Sequence, residues 1–228
     1  MKVLITYGGT EEPIDGVRTI SNFSTGNTGR VIADYLAENG LDIRLLKGKR
    51  AVESTNISNI TEFSSFDDLD EKIRTYLSKE KFDCIIHLAA VSDFSIDYIE
   101  SDNKRLRDVS GKIDSSKSLT IHLKPNFKIL NRLKEYSGDN IFVIGFKLTK
   151  NEENKRKDRK EKIKNKIESM FKGDMVDIIV HNDLSTINEK VHIASIYNKH
   201  NLIKKTKTKQ ELAKALYDLL ISQKFKEI

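Results

Sequence analysis

The sequence predicts an α/β fold, a Rossmann-like, doubly wound, mainly parallel sheet with an antiparallel edge. Three observations carry that expectation. Short runs such as Val3-Leu4-Ile5, residues 82–88 and residues 141–144 are almost continuously apolar, as strands covered on both faces are. The stretches between them place apolar residues at helical spacing. Residues 191–197 and 202–204 flank the polar residues 198–201 and read as a hairpin, which supplies the antiparallel edge.

In chain order, Val3-Leu4-Ile5-Thr6 is the first strand, and Tyr7-Gly8-Gly9-Thr10 turns out of it. Ser24 or Thr25 caps a helix whose apolar face carries Val31, Ile32, Tyr35 and Leu36, and Asn39-Gly40 stops it. Residues 41–46 and 57–63 give the next strands. A strand–helix–strand unit of this length implies a right-handed crossover and parallel pairing. Phe66, Leu69, Ile73 and Leu77 mark a second helix, and residues 82–88 a strand that ends in Ala89-Ala90-Val91-Ser92-Asp93-Phe94. Residues 95–118 are polar, with little periodicity, and read as a long flexible loop. Residues 119–123 alternate like a strand. Pro125 and Asn126 open a helix through Phe127, Leu130, Leu133 and Tyr136, stopped by Gly138. Residues 141–144 are a buried strand followed by Gly145-Phe146-Lys147. Residues 152–172 form a charged helix with an apolar face only in its second half, at Ile163, Ile167, Met170 and Phe171. Its first half projects or meets another subunit. Residues 176–180 are a strand ending in His181-Asn182-Asp183, and a last helix carries Leu212, Leu216, Leu219 and Leu220. No internal repeat is present. The expectation is one domain over residues 1–228, with excursions at about 95–118 and 147–172.

Composition narrows the classes. The chain has 228 residues, 38% hydrophobic and 32% charged, which suits a globular protein with a real core. Its one cysteine, Cys84, lies in an apolar run and cannot form an intramolecular disulfide, which points to a reducing, cytoplasmic setting. No apolar run reaches the ~20 residues that cross a bilayer, so no membrane partner is expected. The net charge of +6 allows nucleic acid or phosphorylated small molecules as partners. Much of the excess sits in residues 147–172 and 204–209, where lysines more often cover solvated faces.

The ends of the strands carry the chemistry. Gly8-Gly9-Thr10, Ala89-Ala90-Val91-Ser92-Asp93, Gly145-Phe146-Lys147 and Asn182-Asp183 share one edge if the strands are parallel, where open α/β sheets bind ligands. Small residues let a ligand approach the backbone, and the start of the first helix offers unpaired N–H groups to an anion. Arg18 and Asn22, a fixed cation and a neutral amide, lie between these two devices. Asp93 can hold Mg²⁺ or a sugar hydroxyl, or simply cap a turn. Lys112 and Lys147 can neutralise phosphates or sit in solvent. The five histidines lack metal-ligand spacing, and neither a Walker A pattern nor a Gly-x-Ser-x-Gly elbow occurs. A dinucleotide fingerprint fails too: Pro13 and a long loop replace its third glycine, and no acid follows the second strand. Lys47 at that strand's end could still meet a 2′-phosphate, so an NADP-dependent reductase stays as an alternative. A basic nucleic-acid-binding domain is the other.

The run Thr6-Tyr7-Gly8-Gly9-Thr10-x-Glu12-Pro13-Ile14-Asp15-x-Val17-Arg18-x-Ile20-Ser21-Asn22-x-Ser24-x-Gly26-x-x-Gly29 resembles the opening motif of phosphopantothenate–cysteine ligases. Ala89-Ala90-Val91-Ser92-Asp93-Phe94 is similar to that family's second motif, Lys112-Ile113 to its flexible-loop lysine, and Gly145-Phe146 and Asn182-Asp183 to later ones. Two departures stand out: Thr25 replaces a serine common in the family, and Asp114-Ser115-Ser116 follows Lys112-Ile113 where some members have lysines. Lys172 is the nearest match to a lysine that often precedes the Asn-Asp strand, but its spacing is long.

The resemblance implies a stand-alone bacterial form without the fused decarboxylase. It would be cytoplasmic and homodimeric, joining 4′-phosphopantothenate to L-cysteine through an acyl-cytidylate, with CTP as co-substrate and Mg²⁺. Nucleic acid would not be a partner. The implied roles are catalytic for Asn22, Lys112 and Arg18, and nucleotide-binding for Gly8, Gly9, Thr10, Ser24, Ala89, Ala90, Asp93 and Phe146. Arg18, Asn22 and Ala89 would bind substrate, and Asp93 would hold the metal.

Overall fold

The computed structural model describes residues 1–102, 104–106, 110–114, 118–138, 141–150, 156–188 and 191–224. In chain order its elements are β1 (Lys2–Tyr7), β2 (Glu11–Pro13), β3 (Thr19–Ser21), α1 (Asn27–Glu38), β4 (Asp42–Gly48), β5 (Ile60–Phe63), α2 (Phe66–Lys79), β6 (Cys84–His87), β7 (Phe94–Ser101), β8 (Lys104–Arg105) and β9 (Leu119–Pro125). A 3-10 turn at Ile129–Arg132 then leads into α3 (Leu133–Ser137), β10 (Phe142–Thr149), α4 (Arg156–Met170), β11 (Ile178–Ile187), β12 (His192–Tyr197), β13 (Leu202–Thr206) and α5 (Lys209–Lys224).

The main sheet runs β13-β12-β11-β10-β6-β1-β4-β5. Pairing is parallel from β11 to β5, while β12 and β13 are antiparallel. This is the expected doubly wound sheet with an antiparallel edge. Successive residues of β1 serve opposite faces: Val3, Ile5 and Tyr7 join the core that holds α1 and α5, and Leu4 joins the one that holds α2, α3 and α4. All four are fully buried, and burying a large aliphatic side chain contributes about 1.5–3 kcal/mol. From β1 the chain winds to β4 on one side and later to β6 on the other. The C-terminal ends of β1 and β6 therefore bound a topological switch point, where such sheets open a crevice.

Local rules explain the two helices nearest that point. Ser65 caps α2 by accepting from the Asp68 N–H at 3.3 Å, and Asp67 and Asp68 sit in its first turn, where the helix dipole favours acids. α1 starts differently. Its N-cap is Gly26 at φ 73°, with no side-chain cap, so Ser24 and Thr25 do not cap it as expected. A Cβ at Gly26 would lie 2.7 Å from the Tyr7 ring, and one at Gly29 would lie 2.3 Å from the Tyr7 Cβ. The first turn of α1 is thus seated on Tyr7 by close packing.

Other expectations are corrected. The stretch 95–118 is not one long loop, because β7 pairs with both β8 and β9 in a separate three-stranded antiparallel sheet. Residues 107–109 and 115–117 fall outside the described residues. Pro125 ends β9 instead of opening a helix, and the helical turn starts at Ile129. Gly138 does stop α3, at φ 63°. In the excursion 147–172, Lys147 belongs to β10, residues 151–155 lie outside the described residues, and α4 with the turn that follows it buries Ile167 and Phe171, as the apolar second half predicts. Gly145-Phe146-Lys147 and Asn182-Asp183 lie inside β10 and β11 instead of ending them. Residues 11–21 form a small ribbon, β2 with β3, where a loop was expected.

Candidate active site

The switch point is built by backbone pairing beyond the strands. Gly9 and Ala90 make an isolated parallel bridge, the Ala90 N–H donates to the Gly8 carbonyl at 2.7 Å, and the Thr10 N–H donates to the Ala90 carbonyl at 3.2 Å. The buried Thr10 hydroxyl accepts the Ser92 N–H at 2.8 Å. From the other side Asn126 donates through its backbone N–H to the Asp93 carbonyl and through its side chain to the Ser92 carbonyl. The turn from Ala89 to Asp93 is therefore held at both ends. Gly8-Gly9-Thr10 was expected to be an open amide cradle. The structure corrects this in part, because the Thr10 amide is already bonded to the Ala90 carbonyl, while Gly9 lines a small cavity with Asn22 and Ser24. Gly9 has a different use: a Cβ there would meet the Asn22 carbonyl at 2.9 Å, so its bareness lets Asn22 lie across the turn.

Above this floor is a cavity of about 600 Å³, whose walls include Asn22, Ser24, Ala89, Ala90, Asp93 and Phe146. These are six of the predicted site residues, drawn from three separate stretches of the chain. The exposed Asn22 side chain donates from Nδ2 to the Val91 carbonyl at 3.1 Å, which ties the ribbon's exit to the second motif. Gly26, Asn27 and Thr28 place the start of α1 at the same cavity. Deeper, His192 Nε2 lies 3.2 Å from Asn182 Nδ2 and 3.5 Å from Thr28 Oγ1. Burial pushes His192 down to about 4, so its ring is neutral at pH 7.

A second cavity, of about 310 Å³, shares Ala89, Asp93, Phe146 and Lys147 with the first and brings in Lys128 and Lys172. Lys172 was hard to place from its spacing, yet the end of α4 delivers it here. Lys128 had no signal of its own in the sequence, since the turn that carries it was read as helix. It is ion-paired with Asp93, and both side chains are mostly exposed. His87, at the floor of this cavity, lies 2.8 Å from the Thr6 hydroxyl through Nδ1, and burial pushes it down to about 4.

Arg18 and Lys112 are placed elsewhere. The ribbon is three residues long on each strand, so at about 3.3 Å per residue its turn lies roughly 10 Å beyond the Asn22 end. Arg18 is at that turn. Its guanidinium donates from Nε to Asp15 at 2.9 Å and from Nη2 to the Ile113 carbonyl at 2.9 Å. Lys112 is exposed beside it. Within one chain, then, the structure does not bring Arg18 and Lys112 to Asn22.

Lys47 is also corrected. Only 2% of its side chain is exposed, and its ammonium lies 2.9 Å from both Glu53 and Glu62. Burial works against its charge, but the two carboxylates outweigh that and raise its pKa. A lysine enclosed in this way cannot greet a 2′-phosphate, so the support for an NADP reductase falls away. Among the described residues no cluster of three or more His, Cys, Asp or Glu could hold a metal ion. The donor set at the cavities is one exposed carboxylate, Asp93. That fits Mg²⁺, which takes one or two carboxylates and completes its shell with substrate phosphates and water.

Residues 1–223 match the family described as the DNA/pantothenate metabolism flavoprotein C-terminal domain. The chain belongs to that family. The resemblance to phosphopantothenate–cysteine ligases read from the motifs is thereby borne out. A coenzyme A biosynthesis bifunctional protein, CoaBC, of Borreliella burgdorferi is 30% identical over 226 residues, covering 95% of this chain and 52% of its own. The chain spans about half that relative's length, and less of others with the same name. The crystal structure of the DNA/pantothenate metabolism flavoprotein from Streptococcus pneumoniae superposes with a TM-score of 0.81 at 30% identity, covering 98% of this chain and 99% of that one. A Cab2 mutant in complex with phosphopantothenate-cysteine shares the fold, with a TM-score of 0.65 at 18% identity over 98% of this chain and 88% of the other. No helix among the described residues is long and apolar enough to cross a membrane.

Proposed function

We propose that this protein joins 4′-phosphopantothenate to L-cysteine in coenzyme A biosynthesis, through an acyl-nucleotide intermediate made from CTP. One observation carries the reading. Asn22, the Ala89–Asp93 turn, the start of α1 and Phe146 converge on one cavity at the switch point, in the family whose motifs they carry. The names of the relatives and the product held by the Cab2 mutant point to the same chemistry.

In the first step a carboxylate oxygen of phosphopantothenate attacks the α-phosphorus of CTP. The bond to the β-phosphate breaks, and pyrophosphate leaves with the electron pair. In the second, the cysteine amine attacks the acyl carbon, the acyl–oxygen bond breaks, and CMP leaves; the amine proton goes to solvent or to the departing phosphate. This chain's part is positioning and electrostatic stabilisation. Main-chain amides at the start of α1 receive an anion without bringing a mobile charge. Asn22 presents a neutral carboxamide whose N–H can donate to the acyl oxygen of the intermediate as the amine attacks, a bond that a carboxylate could not make. Lys128, Lys147 and Lys172 give positive charge to the second cavity, suited to a triphosphate. Asp93 would hold Mg²⁺, which when bound neutralises phosphate charge. The neutral His87 and His192 shape the floor and carry no charge at pH 7.

Arg18 and Lys112, displaced from this cavity in one chain, fit a homodimer in which the ribbon of one copy completes the cavity of the other. The test is pyrophosphate release from CTP or ATP with phosphopantothenate, before and after adding cysteine. The expected result is release with CTP that depends on phosphopantothenate, and amide only once cysteine is present. No release with either nucleotide would overturn the reading.

A further inference from the structure

We propose that Asp15 is a positioning residue for Lys112: with Arg18 it grips the Ile113 peptide at both ends and so fixes the lysine beside it at the ribbon's tip. What Lys112 does there rests on the ligase reading; what holds it rests on geometry. The Asp15 side chain is fully buried, although it sits in a turn at the tip of a small ribbon. Its Oδ1 accepts the Val17 and Arg18 N–H groups at 2.9 and 2.8 Å, which closes the turn on itself. Oδ2 faces the other way. It accepts from Arg18 Nε at 2.9 Å and from the Ile113 N–H at 3.0 Å, while Arg18 Nη2 donates to the carbonyl of the same Ile113 at 2.9 Å. A carboxylate and a guanidinium thus hold the N–H and the C=O of one residue that lies nearly a hundred positions further along the chain.

A third contact is independent of charge. The Gly16 N–H donates to the Gly111 carbonyl at 3.3 Å, and a Cβ at Gly16 would lie 2.2 Å from the Ser110 carbonyl oxygen. Lys112 therefore sits between two anchored peptides, Gly111 and Ile113. The Arg18 guanidinium holds the Asp15 carboxyl far below the usual carboxylate range, so the grip is charged at every working pH. Arg18 emerges as part of the mount for Lys112, where the motif alone suggested a fork for substrate.

Three variants separate the parts. Asp15→Asn keeps one oxygen for the turn but points an amide N–H at the Arg18 and Ile113 donors. Gly16→Ala changes no charge and pushes on Ser110. Arg18→Lys keeps the charge and loses the fork. Trypsin cleavage of the Lys112–Ile113 bond, followed by mass spectrometry in the full chain, reads the mount directly. The first two variants should be cut about 10-fold faster or more at that bond, the scale of a lost charge-assisted hydrogen bond. In pyrophosphate release, kcat should fall by about 10-fold with less than about 2-fold change in KM for phosphopantothenate. Adding Asp15→Asn to Lys112→Gln should cost nothing more than Lys112→Gln alone. Unchanged cleavage at Lys112, or losses that multiply in the double variant, would overturn the proposal. If Arg18→Lys raises KM and spares kcat, Arg18 is a substrate fork and the two-ended grip is wrong. A wild-type protein that releases no pyrophosphate sinks the ligase reading, and the trypsin result still decides the mount.

Discussion

The opening motif builds two devices by different physics, and the contrast is instructive. At the cavity rim, residues 22–29 are fixed by contact. Gly9 admits the Asn22 carbonyl, and Gly26 and Gly29 let α1 sit on the ring of Tyr7. About 10 Å away, the tip of the ribbon is fixed by polar bonds from Asp15, Arg18 and Gly16 to a segment distant in sequence. Close packing tolerates no added atom but is indifferent to pH and salt. A polar grip tolerates small shifts but depends on each donor and acceptor. One device suits a floor that must not move, and the other suits a loop that must be held yet be free to adjust.

The largest expected effect tests the chemistry of the rim. Asn22→Asp should leave pyrophosphate release measurable while amide formation falls by about 10²–10³, the usual cost of spoiling one stabilising donor. Equal loss of both steps would refute the role given to Asn22. Packing comes next. Gly29→Ala forces a methyl to within 2.3 Å of the Tyr7 Cβ, and overpacking of this kind costs about 1–3 kcal/mol, seen as a lower Tm. An unchanged Tm would show that α1 can slide off Tyr7. A last test separates the buried histidines beneath the cavities from the tip by pH. His192 and His87 titrate near 4 when folded and near 6.5 when unfolded, so the unfolded chain takes up protons first. Stability is then present above about pH 6.5 and lost as pH falls towards 4, each kcal/mol lowering Tm by about 2–4 °C. Asp15 has its pKa depressed, so its contribution persists until pH drops below the ordinary Asp value of about 3.9. Melting between pH 7 and 5 should therefore decline, while the NMR amide shift of Ile113 stays flat.

What the sequence revealed follows the same division. Strands buried on both faces announce themselves: Val3-Leu4-Ile5, Ile85-Ile86 and Ile178-Ile179-Val180 can hardly be anything else. The three-stranded sheet of β7, β8 and β9 does not sit on the main core. Its inward positions include Ser95 and Ser101 as well as Ile99, so the alternation that marks a strand is muted and the stretch looks like a loop. The ribbon has only three residues per strand, one of them Pro13, too few for any period to show. At the site, the motif identified Asn22, Ser24, Ala89, Ala90, Asp93 and Phe146, and the fold joins them. It could not show that Arg18 is turned towards Asp15, because a side chain's direction is set by tertiary partners. Lys128 was hidden, and Lys172 was named but not placed, for a related reason, since each lies where the pattern does not fix the conformation of the chain.

The carboxylate pair around Lys47 has an electrical consequence. On the β4 side of the crevice that lysine's charge is already cancelled by Glu53 and Glu62. On the β10 side Lys128, Lys147 and Lys172 line one cavity with a single acid, Asp93, which is ion-paired with Lys128. The mouth of the crevice is a lopsided field, and a polyanion diffusing in is drawn towards one wall. Capture rates for a nucleoside triphosphate should then slow as ions are added, over the ~10 Å reach that such a field has at 0.1 M salt.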